Sequence, residues 1–127
     1  MIVFLRLWWP VILWSGIIFF FSSYPNLNVP KIMKWQHEDK IYHFAEFFVW
    51  GLLFLWRSLR LSSFKPGQNP VIERIFLMLF VGTIFACIDE FHQRWIPGRS
   101  FDRYDLFADI AGIAISMVFF SLFKKAI

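Results

Sequence analysis

The sequence predicts an all-α fold, a bundle of four transmembrane helices, on three observations. The first is a set of four apolar runs, Leu7 to Ser22, Phe47 to Trp56, Ile75 to Ile88 and Ile110 to Phe123, in a 127-residue chain that is 58% hydrophobic. The second is the run "IFLMLFVGTIFACI", Ile75 to Ile88, which has no charged position on any helical face; a helix apolar all round needs burial or lipid. The third is size. Four such helices cannot all be central in so short a chain, because a soluble bundle must turn one polar face of each helix to water. One domain covering 1–127 is expected, with no internal repeat, low-complexity tract or linker.

A bilayer span takes about 20 mostly apolar residues, and each element is justified against that length. Helix 1, expected over 7–23, approaches it unaided. A cleaved signal peptide is the competing reading of this run, but it is bulky and aromatic, and "FFFSSYPN" lacks a small-x-small cleavage pattern. It is kept as a span. "SSYPNLNVP" then reads as a loop from its Pro and Asn content. Helix 2, over 39–57, reaches span length only by taking in His43 and Glu46. "KPGQNP" is a tight turn. Helix 3, over 70–91, takes in Glu73 and Arg74 and is broken by "IPG". Helix 4, over 102–123, takes in Asp105 and Asp109.

An even number of spans leaves both termini on one side. That side would hold Arg6, Arg57, Arg60, Lys65, Arg74, Lys124 and Lys125, against Lys31, Lys34, Lys40, Arg94, Arg99 and Arg103 on the other. The first group is accompanied only by Glu73, so it is a plain basic flank suited to an anionic cytoplasmic leaflet. The second carries both signs and is expected outside. Trp8, Trp9 and Trp56 on the first side, with Trp35 and Trp95 on the second, suit interfacial belts. The net charge of +4 points to membrane lipids as partners and not to nucleic acid, since no basic stripe with interleaved aromatics stands on a soluble face. The single cysteine, Cys87, excludes an intramolecular disulfide.

Charge concentrates in two places. Helix 2 opens with "DKIYHFAEF", in which Asp39, His43 and Glu46 stand at i, i+4 and i+7 and share one face, Lys40 lying beside them. At about 1.5 Å per residue, Glu46 lies roughly 10 Å deeper than Asp39. An intramembrane carboxyl costs several kcal/mol unless it is paired, hydrated or protonated. The stretch "FACIDEFHQRWIPGRSFDRYDLFADIAG", residues 85–112, carries five acids, three arginines and a histidine. Within it Asp89 and Gln93 share a face, as do Glu90 and Arg94, whose plain role is an intrahelical salt bridge. Asp102, Asp105 and Asp109 form a second stripe; Ser100 or Asp102 is a candidate cap for helix 4. Gly112, one turn beyond Asp109, would let a neighbouring helix approach closely. Arg99, on a turn after Pro97-Gly98, has two credible jobs: neutralising the acids, or presenting a planar fork to a phosphate or carboxylate. Helices 2, 3 and 4 each bring charge to the same membrane side. One polar site is therefore expected from Asp39, Lys40, His43, Glu46, Asp89, Glu90, Gln93, Arg99, Asp105 and Asp109.

The ordered set "DKIYH", "DEFHQ", "PGR" and "D…AD…G", covering Asp39 to Gly112, resembles the VanZ-like family of small bacterial membrane proteins. The resemblance implies a multi-span plasma-membrane protein, and the family takes its name from a member linked to resistance to the glycopeptide teicoplanin. The family commonly has Asn where this chain has Asp109.

Three functions remain open to the sequence: a cell-envelope protein that binds an anionic amphiphile or alters drug access, an enzyme acting on a phospholipid or polyprenyl-phosphate precursor, and a proton-linked transporter using Glu46 and Asp109. No serine or cysteine stands in a recognisable nucleophile motif, no glycine loop cradles phosphate, and His43 and His92 lack any standard metal spacing. No cofactor and no metal are expected. Catalytic residues and oligomeric state are not assigned.

Overall fold

The computed structural model describes residues 2–25, 38–60 and 70–123. The loop expected beyond Pro25, the "KPGQNP" turn up to Asn69, Trp35, and the lysines at 31, 34, 65, 124 and 125 lie outside them. Four helices run α1 (Ile2–Ser22), α2 (Glu38–Arg60), α3 (Pro70–Gln93) and α4 (Arg103–Phe123), and no strand occurs among the described residues. By length and composition α1, α3 and α4 could each cross a membrane. The end of α1, the start of α2, the end of α3 and the start of α4 meet at one end of the bundle, joined by contacts such as Ser22 to Asp89 and Lys40 to Asp105.

The oily helices divide their faces cleanly. On α3, Phe76 and Phe80, each 67% exposed, continue into Ile84 and Ile88 as an outward stripe with a spacing of four. The opposite stripe, Met78, Gly82, Ala86, Asp89, Glu90 and Gln93, is buried and turns from apolar to polar at Asp89. On α4 the inward positions are Asp105, Asp109, Gly112, Ile113 and Ser116, with the ionisable ones only toward the α4 start. The interior thus has an apolar half, built on Phe47, Trp50, Phe54, Leu55, Met78 and Ile113, and a polar half at the converging ends.

Helices α2 and α4 are drawn together by small residues. A side chain at Gly112 would meet the α2 backbone at the carbonyl of Phe44 and the nitrogen of Phe48, as its place one turn past Asp109 suggested. Gly51 faces the Ser116 side chain, and Gly82 faces the side chains of Ile113 and Trp50.

Helix α1 begins earlier than expected, at Ile2, and runs through Pro10. Proline has no N–H to donate back to the carbonyl four residues earlier, which here is that of Arg6. Arg57 of α2 compensates: its Nη2 donates to the Arg6 carbonyl at 3.2 Å and its Nε to the Leu7 carbonyl. The arginine expected on a plain basic flank therefore also ties α1 to α2. Trp50 Nε1 donates to Ser15 Oγ at 2.9 Å, and Trp14 Nε1 to the Glu46 carbonyl at 2.9 Å, extending that attachment. Trp9 and Trp95 are exposed, as interfacial residues would be, whereas Trp8 turns inward against Phe54 at 5.0 Å between centroids.

Candidate functional site

The polar end is assembled in levels. Nearest the helix ends, Lys40 of α2 donates to three carboxylates: Asp39 at 3.1 Å, Asp102 at 2.9 Å and Asp105 at 2.6 Å. Asp102 has a second duty. Its Oδ1 accepts the N–H of Tyr104 at 2.8 Å, the bond of a helix N-cap, which satisfies one of the free donors at the start of α4. The Lys40 hydrogen bond, reinforced by that backbone donor, holds the Asp102 carboxyl below the usual carboxylate range. A depressed folded-state value means that this contribution to stability is present at neutral pH and is lost as pH falls through the carboxylate range.

One turn deeper, His43 stands between α3 and α4. Its Nδ1 is 3.0 Å from Asp109 Oδ1 and 3.8 Å from Glu90 Oε1, while Nε2 is 3.8 Å from Asp105 Oδ2. Asp89, Glu90 and Asp109 are all 0% exposed. Burying carboxyls that deeply requires partners. Gln93 Nε2 lies 3.2 Å from Glu90 Oε1 and 3.4 Å from Asp89 Oδ2, bridging the two acids. Ser22 Oγ donates to Asp89 at 2.6 Å and accepts from Gln93 at 2.9 Å. Glu90 Oε2 takes the backbone N–H of Asp102 at 3.2 Å, which ties the α3–α4 connection to the buried network.

That connection follows from its sequence. Arg99 N–H donates to the Ile96 carbonyl at 3.1 Å, with Pro97 and Gly98 as the two central residues. Gly98 has φ of 80°, the value that the third position of a type II turn requires and that residues with a side chain rarely adopt.

The ten residues expected to form one site do converge on this end, but their roles are distributed differently from the expectation. Lys40, not Arg99, neutralises the aspartates. Every Asp and Glu of the chain lies among the described residues, and none of them is within ion-pair distance of the half-buried Arg99. The salt bridge available to Glu90 and Arg94 is also absent, because Glu90 turns inward to Gln93 while Arg94, just past the helix end, is exposed. Glu46 shares the His43 face and lies within the electrostatic reach of His43, Asp89, Asp109 and Arg99, yet its carboxyl makes no hydrogen bond among the described residues. Asp39, 56% exposed at its side chain, marks the rim. Ser22 was not foreseen. Its only signal was a hydroxyl at the end of an oily span on the same side as the acids.

Asp109 is the deepest strut, and its replacement separates hydrogen bonding from charge. Asp109→Asn keeps an acceptor for His43 in the same shape and should melt close to the parent. Asp109→Leu strands His43 and should lose about 1–3 kcal/mol. Denaturation of the purified proteins in detergent, with EDTA present throughout, checks this, and equal losses for both would remove the strut role.

The sequence model of one protein family, described as VanZ/LLP1, matches residues 7–124. A protein of the fission yeast Schizosaccharomyces pombe, described as uncharacterized, is 29% identical over 101 residues, which are 80% of this chain and 54% of that protein. The chain thus spans about half the length of the curated relative it matches. No solved structure matches.

Proposed function

This chain belongs to the VanZ/LLP1 family, and from that premise we propose that it is a four-span protein of the bacterial plasma membrane whose polar end binds an amphiphile with an anionic head group. The fourth span in this reading is α2. Two of its polar side chains, Lys40 and His43, point at acids of α3 and the α4 end, so these two are satisfied inside the bundle, and lipid meets the outer faces of the other helices. The end carrying Arg57, Arg60 and Arg74 faces the cytoplasm with both termini, and the acid-rich end faces outward. Through such binding the protein acts in envelope function, and by occupying or shielding a lipid-linked precursor it alters access of teicoplanin-type glycopeptides.

The observation that carries the reading is Arg99. A guanidinium held half-buried on a Pro-Gly turn, next to an acid cluster that has taken Lys40 in its place, makes no ion pair among the described residues. Its planar fork matches the geometry of phosphate and carboxylate oxygens. The surrounding apolar surface, including Phe101 and Trp95, suits the acyl part.

The test is binding of phosphatidylglycerol against phosphatidylcholine to the purified protein. Phosphatidylglycerol should be retained preferentially, and Arg99→Ala should weaken it by about tenfold or more, the loss expected for a charge-assisted hydrogen bond. Its melting temperature should stay near the parent value. No preference between the two lipids, or no effect of Arg99→Ala, would sink the reading.

A catalytic alternative is favoured by one observation, the 3.0 Å contact between His43 and a fully buried Asp109. A carboxylate that orients an imidazole is the usual support of a general base. Hydrolysis of a polyprenyl-phosphate substrate by the purified protein, lost in His43→Gln, would select it.

A further inference from the structure

We propose a divalent-cation site between α2, α3 and α4, formed by His43, Glu90 and Asp109, for an ion of the zinc or manganese class. It does not depend on head-group binding at Arg99.

Three side chains from three helices bring one ligand atom each to within 4.8 Å of one another. The two separations measured from His43 suit a common ion. Ligands about 2.1 Å from a metal stand about 3.0 Å apart at a right angle and about 3.8 Å apart at a wider angle; His43 Nδ1 lies 3.0 Å from Asp109 and 3.8 Å from Glu90.

An independent observation points to a missing partner. Asp109 is fully buried, and its Oδ2 has no hydrogen-bond partner. An unsatisfied buried carboxylate oxygen is expensive, and the Lys40 ammonium is already engaged by Asp39, Asp102 and Asp105. That engagement also decides between two clusters. Asp39, Asp102 and Asp105 are arranged closely enough to hold a metal too, but Lys40 is their cation. The His43 group has no lysine or arginine within ion-pair distance among the described residues.

Charge and orientation agree with the assignment. A neutral imidazole and two carboxylates exactly offset a dication in number, so the buried site would be neutral, which limits its desolvation cost. Mixed imidazole and carboxylate donors suit zinc and manganese better than calcium. Glu90 is already oriented by Gln93 and by the Asp102 N–H. His43 Nε2, on the far side of the ring, faces Asp105 at 3.8 Å, the outer carboxylate that metal-bound histidines usually have. Three protein ligands would leave positions open to water or to a ligand oxygen. No motif could have announced this site, because its donors are 47 and 19 residues apart in the chain.

The test is titration of ZnCl2 or MnCl2 into EDTA-stripped protein in detergent, followed by calorimetry and by melting temperature. A single ion should bind per chain and raise the melting temperature. Glu90→Gln and Asp109→Asn should each weaken binding by more than about tenfold, while Asp39→Asn leaves it unchanged. Absence of binding and of any thermal shift for both ions overturns the proposal. So does affinity that survives both ligand variants or falls equally with Asp39→Asn.

Discussion

Alanine at Gly112 is expected to destabilise the protein by about 3 kcal/mol, the upper end of the usual cost of overpacking. The new Cβ would meet the carbonyl oxygen of Phe44, with the Phe48 nitrogen 2.9 Å away and the Phe44 carbonyl carbon 3.2 Å away. All three are backbone atoms of α2, so no side-chain rotation relieves the clash. The helices must separate. Separation would also pull Lys40 and His43 of α2 away from Asp105 and Asp109 of α4, so packing and the polar network would fail together. Gly16 supplies the control, since nothing lies within 4 Å of a side chain there. Gly16→Ala should be neutral or stabilising by up to about 1 kcal/mol through helix propensity. Chemical denaturation of the two variants in detergent makes the comparison, and similar midpoints would show that α2 and α4 are not in the contact described.

Lys40→Met should cost about 3 kcal/mol, because removing one partner of a buried ion pair leaves the other charge stranded. The lower end of that range is appropriate. Lys40 is 22% exposed at its side chain and Asp105 is 10% exposed, but water can reach Asp39 and Asp102 once the ammonium has gone. The substitution keeps the aliphatic stem, so the loss reports the charge. Arg99→Met should change stability little, since no acid lies within ion-pair distance of its guanidinium. Melting temperatures of both purified variants decide the matter; a loss at Arg99 equal to that at Lys40 would mean that Arg99 is the interior cation after all.

The reversal of Lys40 and Arg99 marks where sequence reasoning stopped. The sequence placed both cations on the acid-rich side and put Arg99 on a turn beside α4. It could not say which would reach the aspartates, because that depends on how far α2 is rotated about its axis relative to α4. Rotation is set by the whole contact surface, including Gly51 against Ser116 and Gly112 against the α2 backbone. Arg57 tells a similar story. Its basic character and position at the far end were legible, but its bonds to the carbonyls freed around Pro10 needed α1 and α2 side by side.

By itself the sequence determined what depends on local chemistry and period. Four helices follow from unbroken apolar runs, the turn after α3 from Pro97-Gly98, the start of α4 from the candidate caps Ser100 and Asp102, and the close approach at Gly112 from a small residue beside a polar stripe. Each is a property of neighbours in the chain or of positions one helical turn apart. The tertiary structure alone decided which polar groups meet across the bundle: Lys40 with Asp102 and Asp105, Ser22 with Asp89, and His43 with Glu90 and Asp109. Those pairs join different helices over 60 residues or more in most cases. Their geometry is fixed by helix rotation and depth, and ångström differences in either decide whether a buried charge finds a partner.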